Sequence, residues 1–203
     1  SIAACSRNGL CTLRAVTVRP QDADREAEAR LEAEGVTVYR DFGKMLESEA
    51  TDPHLVSIPA GIASHRPLTV AALDAGRHVL CEKPVAGCVS DAEAMRDAQH
   101  RSGRILAVGY QFLYSAGVAE VKASRVEGRW GALKRMRCLA LVPRTGTYYD
   151  RNEWAGTLRS GGVKVYDSPA QNAVAHFLHL MLYLAGESVE SSARARTVYG
   201  ECY

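Results

Sequence analysis

Two groups of residues in this chain have the types and spacing to do chemistry together. The first is the run His78-Val-Leu-Cys-Glu-Lys-Pro84, where a short apolar stretch delivers an acid, a lysine and a proline in succession. A buried parallel strand reads as such an apolar run. Ligands bind at the carboxyl ends of the strands in open α/β sheets. Proline cannot continue a ladder, so Glu82 and Lys83 would stand as an anion and a cation at a sheet rim. The second group is Asn172, His176 and His179, at i, i+4 and i+7. That spacing puts them on one face of a helix. Around them lie Val174, Phe177, Leu178, Leu180, Met181, Leu182 and Leu184, apolar nearly all round, which is the pattern of a buried helix. Polar groups buried in such a helix cost free energy unless they are hydrogen-bonded, so this stripe calls for partners or a ligand. A histidine titrates near neutrality and suits general acid/base work. A fixed lysine cation stabilises charge developing on a nearby oxygen.

The elements that must position these groups alternate between strand and helix signals. Strands are predicted over 12–18, 36–39, 55–58, 78–81 and 105–109. Helices are predicted over 22–34, 42–49, 65–75 and 91–102. Right-handed βαβ crossovers make 55–58, 78–81 and 105–109 adjacent parallel strands. The pattern then changes. A helix over 118–127 precedes a long strand over 133–142, expected in a separate sheet, and a loop-rich stretch over 143–160 containing Tyr148, Tyr149 and Trp154. Ser168 is a helix N-cap, with Pro169 in the first turn and Gln171 completing a capping box. That helix runs to 185, where Gly186 ends it. Residues 192–203 begin as an alternating strand. The fold class is therefore α/β followed by α+β: a parallel-sheet domain over 1–109 and an α+β domain with a mainly antiparallel sheet over 110–203.

The stretch Val56 to Pro84, V-S-I-P-A-G-I-A-S-H-R-P…A-A-L-D-A-G-R-H-V-L-C-E-K-P, resembles the Gfo/Idh/MocA family of NAD(P)-dependent oxidoreductases. The resemblance implies a Rossmann-like parallel sheet and hydride transfer between a nicotinamide cofactor and an alcohol carbon of a sugar or cyclic polyol. It implies that Lys83 and His176 are catalytic, since His176 and Gly186 keep the family's histidine-to-glycine spacing on this helix. It places Pro59, Ala60, His65, Glu82 and Lys83 along the cofactor groove. Tyr110 and Gln111 would face substrate or cofactor, although a plain interdomain linker is the equal alternative there. Asp167, Asn172 and His179 would touch substrate, with His179 also readable as a hydrogen-bond satisfier. The family pattern has Asp where this chain has Asn172 and His179, a departure that bears on the substrate class. Arg19 follows the 12–18 strand, where an arginine accommodates a 2′-phosphate, so the cofactor is NAD or NADP with a lean to NADP. No G-x-G-x-x-G occurs in the chain. If the resemblance holds, residues 1–8 are the tail of a first helix and the chain covers only the family's middle.

Composition narrows the field further. A chain of 203 residues can bury roughly 70% of its unfolded surface. A net charge of +2 at pH 7 is too small to argue for nucleic acid or a membrane surface. The six cysteines at 5, 11, 81, 88, 138 and 202 form no C-x-x-C pair. Several lie in apolar runs where cysteine acts as a small hydrophobe. These features predict a cytoplasmic protein with no nucleic-acid or membrane partner, and the resemblance implies a small-molecule sugar or polyol substrate and a homo-oligomeric state. His176-x-x-His179 has no acidic partner nearby, which disfavours zinc. The competing reading is a Rossmann-like binding or regulatory protein without turnover, because fold does not dictate function.

Overall fold

Aspartates start the first two long helices. In the computed structural model, which describes residues 5, 6, 8–49 and 54–201 without the side chain of Ala173, Asp24 accepts hydrogen bonds from the Glu26 and Ala27 amides at the head of α1 (Arg25–Ala33). Asp41 accepts from the Lys44 amide at the head of α2 (Phe42–Ser48). Such caps satisfy amides that have no partner within the helix. The expected helix tail over 1–8 lies mostly outside the described residues, where only Cys5 and Ser6 are helical. Strand β1 (Ala15–Thr17) pairs in parallel with β2 (Thr37–Tyr39). A second parallel sheet has the order β3 (Leu55–Ile58), β4 (His78–Cys81), β5 (Leu106–Val108). The crossovers are α3 (Ile62–Asp74) and α4 (Val89–Ser102). The two ladders stand apart, and the doubly wound order 3-2-1-4-5-6 has a strand at that position.

The register fixes the core. Leu55 sits opposite His78, Ser57 opposite Leu80, and Leu80 opposite Ala107, so these side chains share one face. The alternate residues Ile58, Val79 and Cys81 share the other face with Val56 and Leu106. That face packs against Ala72 and Leu73 of α3 and Met95 and Ala98 of α4. Each fully buried large apolar side chain contributes on the order of 2 kcal/mol. Burial pushes the Cys81 thiol up to about 11, so it remains a protonated hydrophobe. The opposite face is open, with Leu55, Leu80 and Ile105 all exposed. The expectation of strands buried on both faces is corrected there.

After a 3₁₀ turn (Gln111–Tyr114) come α5 (Ala116–Val126), the short α6 (Gly146–Asp150), an antiparallel pair β6 (Arg159–Ser160) and β7 (Val163–Lys164), and a π turn (Pro169–Ala173) leading into α7 (Ala175–Ala185). Four expectations are corrected here. Residues 133–142 form no strand, because no second strand among the described residues pairs with them, and a lone strand leaves its ladder groups to water. Residues 192–201 form no strand for the same reason. Ser168 caps the Gln171 amide, but the Gln171 side chain donates to the Ala86 carbonyl at 2.9 Å instead of closing the box. Helix α7 is not enclosed all round: Ala175 is buried and Leu178 is exposed. Among the described residues, no helix is long and apolar enough to cross a membrane.

Candidate active site

Strand β4 ends at Cys81, and the next three residues form one wall of a cavity of about 530 Å³. Glu82, Lys83 and Pro84 line it together with Ala60 and Ile62 from the end of β3 and the start of α3. The Lys83–Pro84 peptide is cis. The Glu82 carboxylate accepts the Lys83 amide at 3.0 Å and lies where a side chain on Gly109 would meet it. Arg144, Tyr148, Arg151, Trp154 and Asn172 close the other side.

His65 holds the strand-side wall from behind. It is 1% exposed, and its ring nitrogens lie 2.8 Å from the Pro84 carbonyl and 3.0 Å from the Ala60 carbonyl. Both lining loops are thereby tied to α3. His65 thus stands behind the wall of this cavity and not in its lining. Pro59 is exposed beside Ala60 and is not part of the cavity wall.

Lys83 is half-buried and donates to Asn172 twice, to the side-chain oxygen at 2.8 Å and to the backbone carbonyl at 3.2 Å. Asn172 in turn donates to the Tyr148 hydroxyl at 2.8 Å. Burial lowers the Lys83 pKa, the Glu82 and Asp167 charges oppose that, and Arg144 and Arg151 add to it. Asp167 is buried and accepts the Gly156 amide at 2.7 Å through one oxygen. Its other carboxylate oxygen has no partner among the described residues.

The two helix histidines sit beside this group. Burial lowers the pKa of His176, and the Lys83 charge lowers it further, so the two side chains occupy one electrostatic environment. Burial also lowers His179. Both Nδ1 atoms are buried without a hydrogen-bond partner among the described residues. Tyr110 stacks on His179 with ring centroids 4.2 Å apart and meets His176 edge-on at 5.9 Å. Phe112 covers His176 at 4.8 Å. Burial raises the Tyr110 pKa, which keeps its hydroxyl protonated.

The structure sets Lys83, Glu82, Ala60 and Asn172 in the cavity wall, and His176, His179 and Tyr110 in a ring cluster of their own. It does not bring Asp167, His176, His179, Tyr110, Gln111 or Arg19 into the cavity wall. Gln111 is exposed in its turn, and Arg19 is an exposed residue paired with Asp22 at 2.5 Å. Sequence reasoning missed Arg144 and Arg151, and left Tyr148 and Trp154 without a role. Their density in R-T-G-T-Y-Y-D-R-N-E-W was the available signal, since arginines and aromatics gathered in one loop suit recognition. Among the described residues, no group of three or more His, Cys, Asp or Glu side chains could hold a metal.

Known proteins share this architecture. Residues 6–110 match the Gfo/Idh/MocA oxidoreductase family, described as having an NAD-binding Rossmann fold. The chain is 34% identical over 142 residues to an inositol 2-dehydrogenase of Pseudomonas fluorescens, covering 68% of this chain and 41% of that protein. It is 27% identical over 197 residues to a D-glucoside 3-dehydrogenase of Escherichia coli, covering 95% and 52%. The crystal structure of the WlbA dehydrogenase from Bordetella pertussis in complex with NADH and UDP-GlcNAcA superposes with a TM-score of 0.72 at 25% identity, covering 91% of this chain and 51% of that one. The chain spans about half or less of the length of these relatives. With its βαβ order, its E-K-P rim and more than half of its length matched, this chain belongs to the Gfo/Idh/MocA oxidoreductase family.

Proposed function

We propose that the protein carrying this chain is a nicotinamide-dependent dehydrogenase acting on an alcohol carbon of a sugar or cyclic polyol. Residues 1–109 serve the nucleotide and residues 110–203 the substrate. The observation that supports this reading is Lys83 at the rim of β4, inside the cavity and held by Asn172 at 2.8 Å from 89 positions away in the chain. The inositol and glucoside dehydrogenases among the relatives support the substrate class. The NADH in the WlbA complex supports NAD as cofactor. The lean toward NADP loses its support, because the Arg19 guanidinium is already paired with Asp22.

The residues fit the nicotinamide end of such a cofactor. The cavity opens at the carboxyl ends of β3 and β4, the ligand position of an open α/β sheet. The buried Nδ1 of His176 lacks a partner that a bound reactant can supply. The redox chemistry would come from the bound nicotinamide ring, which takes up the hydride.

The chain's own residues handle the proton. As the hydride leaves the alcohol carbon, the hydroxyl must lose its proton. His176, kept neutral by burial and by the Lys83 charge, accepts that proton as general base. Lys83 stabilises the negative charge developing on the oxygen. Asn172 fixes the Lys83 ammonium through its two oxygen contacts, and Phe112 and Tyr110 shield the histidines from water.

Lys83→Ala and His176→Ala in the intact protein should each lower kcat by about 10²-fold or more, the scale of a lost general acid/base. The NADH dissociation constant should change less in His176→Ala than in Lys83→Ala. Assays of NAD(P)H absorbance over a panel of sugars and polyols check this. Near-normal turnover in both variants would remove Lys83 and His176 from the catalytic step, and no turnover of any alcohol by the parent would favour a binding protein without catalysis.

A further inference from the structure

Three cations line the cavity, namely Lys83, Arg144 and Arg151, and among the described residues Glu82 is the only acid in its wall. The arginines are held in place. Their guanidinium carbons lie 4.2 and 4.0 Å from the centroid of the same Tyr148 ring, and Arg151 also donates to the Tyr148 hydroxyl at 3.0 Å. Among the described residues, neither forms an ion pair with a carboxylate. The partner that Lys83 meets at 2.8 Å is a neutral amide. Asp167, the other nearby acid, is turned to the Gly156 amide. Like charges gathered at one cavity repel, and a bound anion removes that cost. A guanidinium fork is also the side chain best matched to a carboxylate or phosphate.

We infer that the substrate carries a negative charge, as a carboxylate or a phosphate on the sugar or polyol, and that Arg144 and Arg151 bind it. This inference rests on reading the cavity as the substrate site of the dehydrogenase. The ring of Trp154 offers an apolar face to the carbohydrate, and Lys83 remains free of the anion to serve the reacting hydroxyl. The pyrophosphate of a dinucleotide is a second source of negative charge. It belongs at the first strand–helix turn of a doubly wound sheet, whereas this cavity opens at the ends of β3 and β4.

The test compares D-glucose, D-glucuronate and D-glucose 6-phosphate as probes, with binding to the intact protein read by calorimetry in the presence of NADH. One of the two anionic probes should bind about tenfold tighter than glucose, the scale of one or two partly exposed charge contacts. That advantage should disappear in the Arg144→Gln/Arg151→Gln double variant and survive in Arg144→Lys/Arg151→Lys. Circular dichroism of both variants separates a lost contact from a lost fold. Whichever anionic probe keeps the advantage identifies carboxylate or phosphate as the group recognised. Equal affinity for all three probes overturns the inference. So does an advantage that survives in the Gln variant, or a Gln variant that weakens NADH and leaves the probe ranking unchanged. Binding and turnover are separate readouts. A charge preference without turnover of any alcohol would sink the dehydrogenase reading and leave the anion site standing. Turnover of neutral polyols without a charge preference would do the reverse.

Discussion

Lys83 is a cation held chiefly by neutral groups, and that circumstance sets the behaviour of His176. Burial is the largest cause lowering the His176 pKa, followed by the Lys83 charge; Glu82 opposes and His179 adds a little. The neutral imidazole is the form that accepts a proton. Alcohol oxidation should therefore be at full rate above the His176 pKa and fall as pH drops through it, with the inflection below that of an ordinary histidine. Lys83→Met removes one of the lowering charges. The folded-state pKa of His176 then rises, and the acid limb of the kcat/KM profile moves to higher pH, even though the absolute rate is reduced. A limb that stays where it was would mean that these two groups do not share the site. The same scale shows how much of the site was legible. Lys83 and His176 stood out because charged and titratable groups in apolar runs need a reason. Arg144 and Arg151 did not, because an arginine in a polar loop is ordinary until the fold turns it toward a cavity.

At the scale of elements, one contact holds the second part of the chain to the first, and another ties α5 to the end of α7 within the second part. A side chain on Gly87 would come within 2.1 Å of the Lys164 carbonyl oxygen, so the loop after β4 and strand β7 meet backbone to backbone. Beside them, Gln171 reaches the Ala86 carbonyl, and this brings Asn172 to Lys83. The other contact is Lys122 on α5. It is fully buried, and its ammonium donates to the carbonyls of Tyr183, Gly186 and Ser191 at 2.5, 2.7 and 3.0 Å. A cation at the carboxyl end of α7 satisfies carbonyls that the helix leaves open. Gly87→Ala forces two backbones apart and should cost about 1–3 kcal/mol, as overpacking does. Lys122→Met strands three acceptors and should cost about 2 kcal/mol or more. Thermal denaturation checks both, and a midpoint within about one degree of the parent would refute the packing described. Gly87→Ala should in addition weaken the Lys83–Asn172 contact and lower turnover. Neither position announced itself in the sequence, since both act through residues more than sixty positions away.

The whole molecule leaves many large apolar side chains exposed. Leu55, Leu80 and Ile105 lie bare on or beside the open sheet face, and Leu139 and Leu141 are each 82% exposed in the unpaired segment after α5. Trp130 is 62% exposed in the same region. Contiguous apolar surface of this kind drives association. The span of 203 residues, expressed by itself, should therefore self-associate at micromolar concentration, as read by light scattering. Leu139→Lys with Leu141→Lys should shift it toward smaller species. A monodisperse monomer of the unsubstituted span would show that these residues are covered by some arrangement of the chain itself.

The sequence by itself determined the local elements, because they rest on near-neighbour physics. Strands 55–58 and 78–81 were predicted to the residue. Apolar runs between turn residues leave little choice of boundary. It also determined the family, through the spacing of the E-K-P rim and the helix histidine. Other features waited for the tertiary structure. Helix α3 begins at Ile62, three residues before the predicted start, because burial of Ile62 and His65 outweighs the presence of Pro67 in its second turn. The π turn ahead of α7 sets where Asn172 points, and a helical wheel cannot anticipate it. The strand expected over 133–142 had the right alternation, but a strand exists only when another strand supplies its hydrogen bonds. The basic wall of the cavity was likewise decided in three dimensions. The direction in which Arg144 and Arg151 face depends on Tyr148 lying between them and on the loop folding back over β4, and no local spacing encodes that.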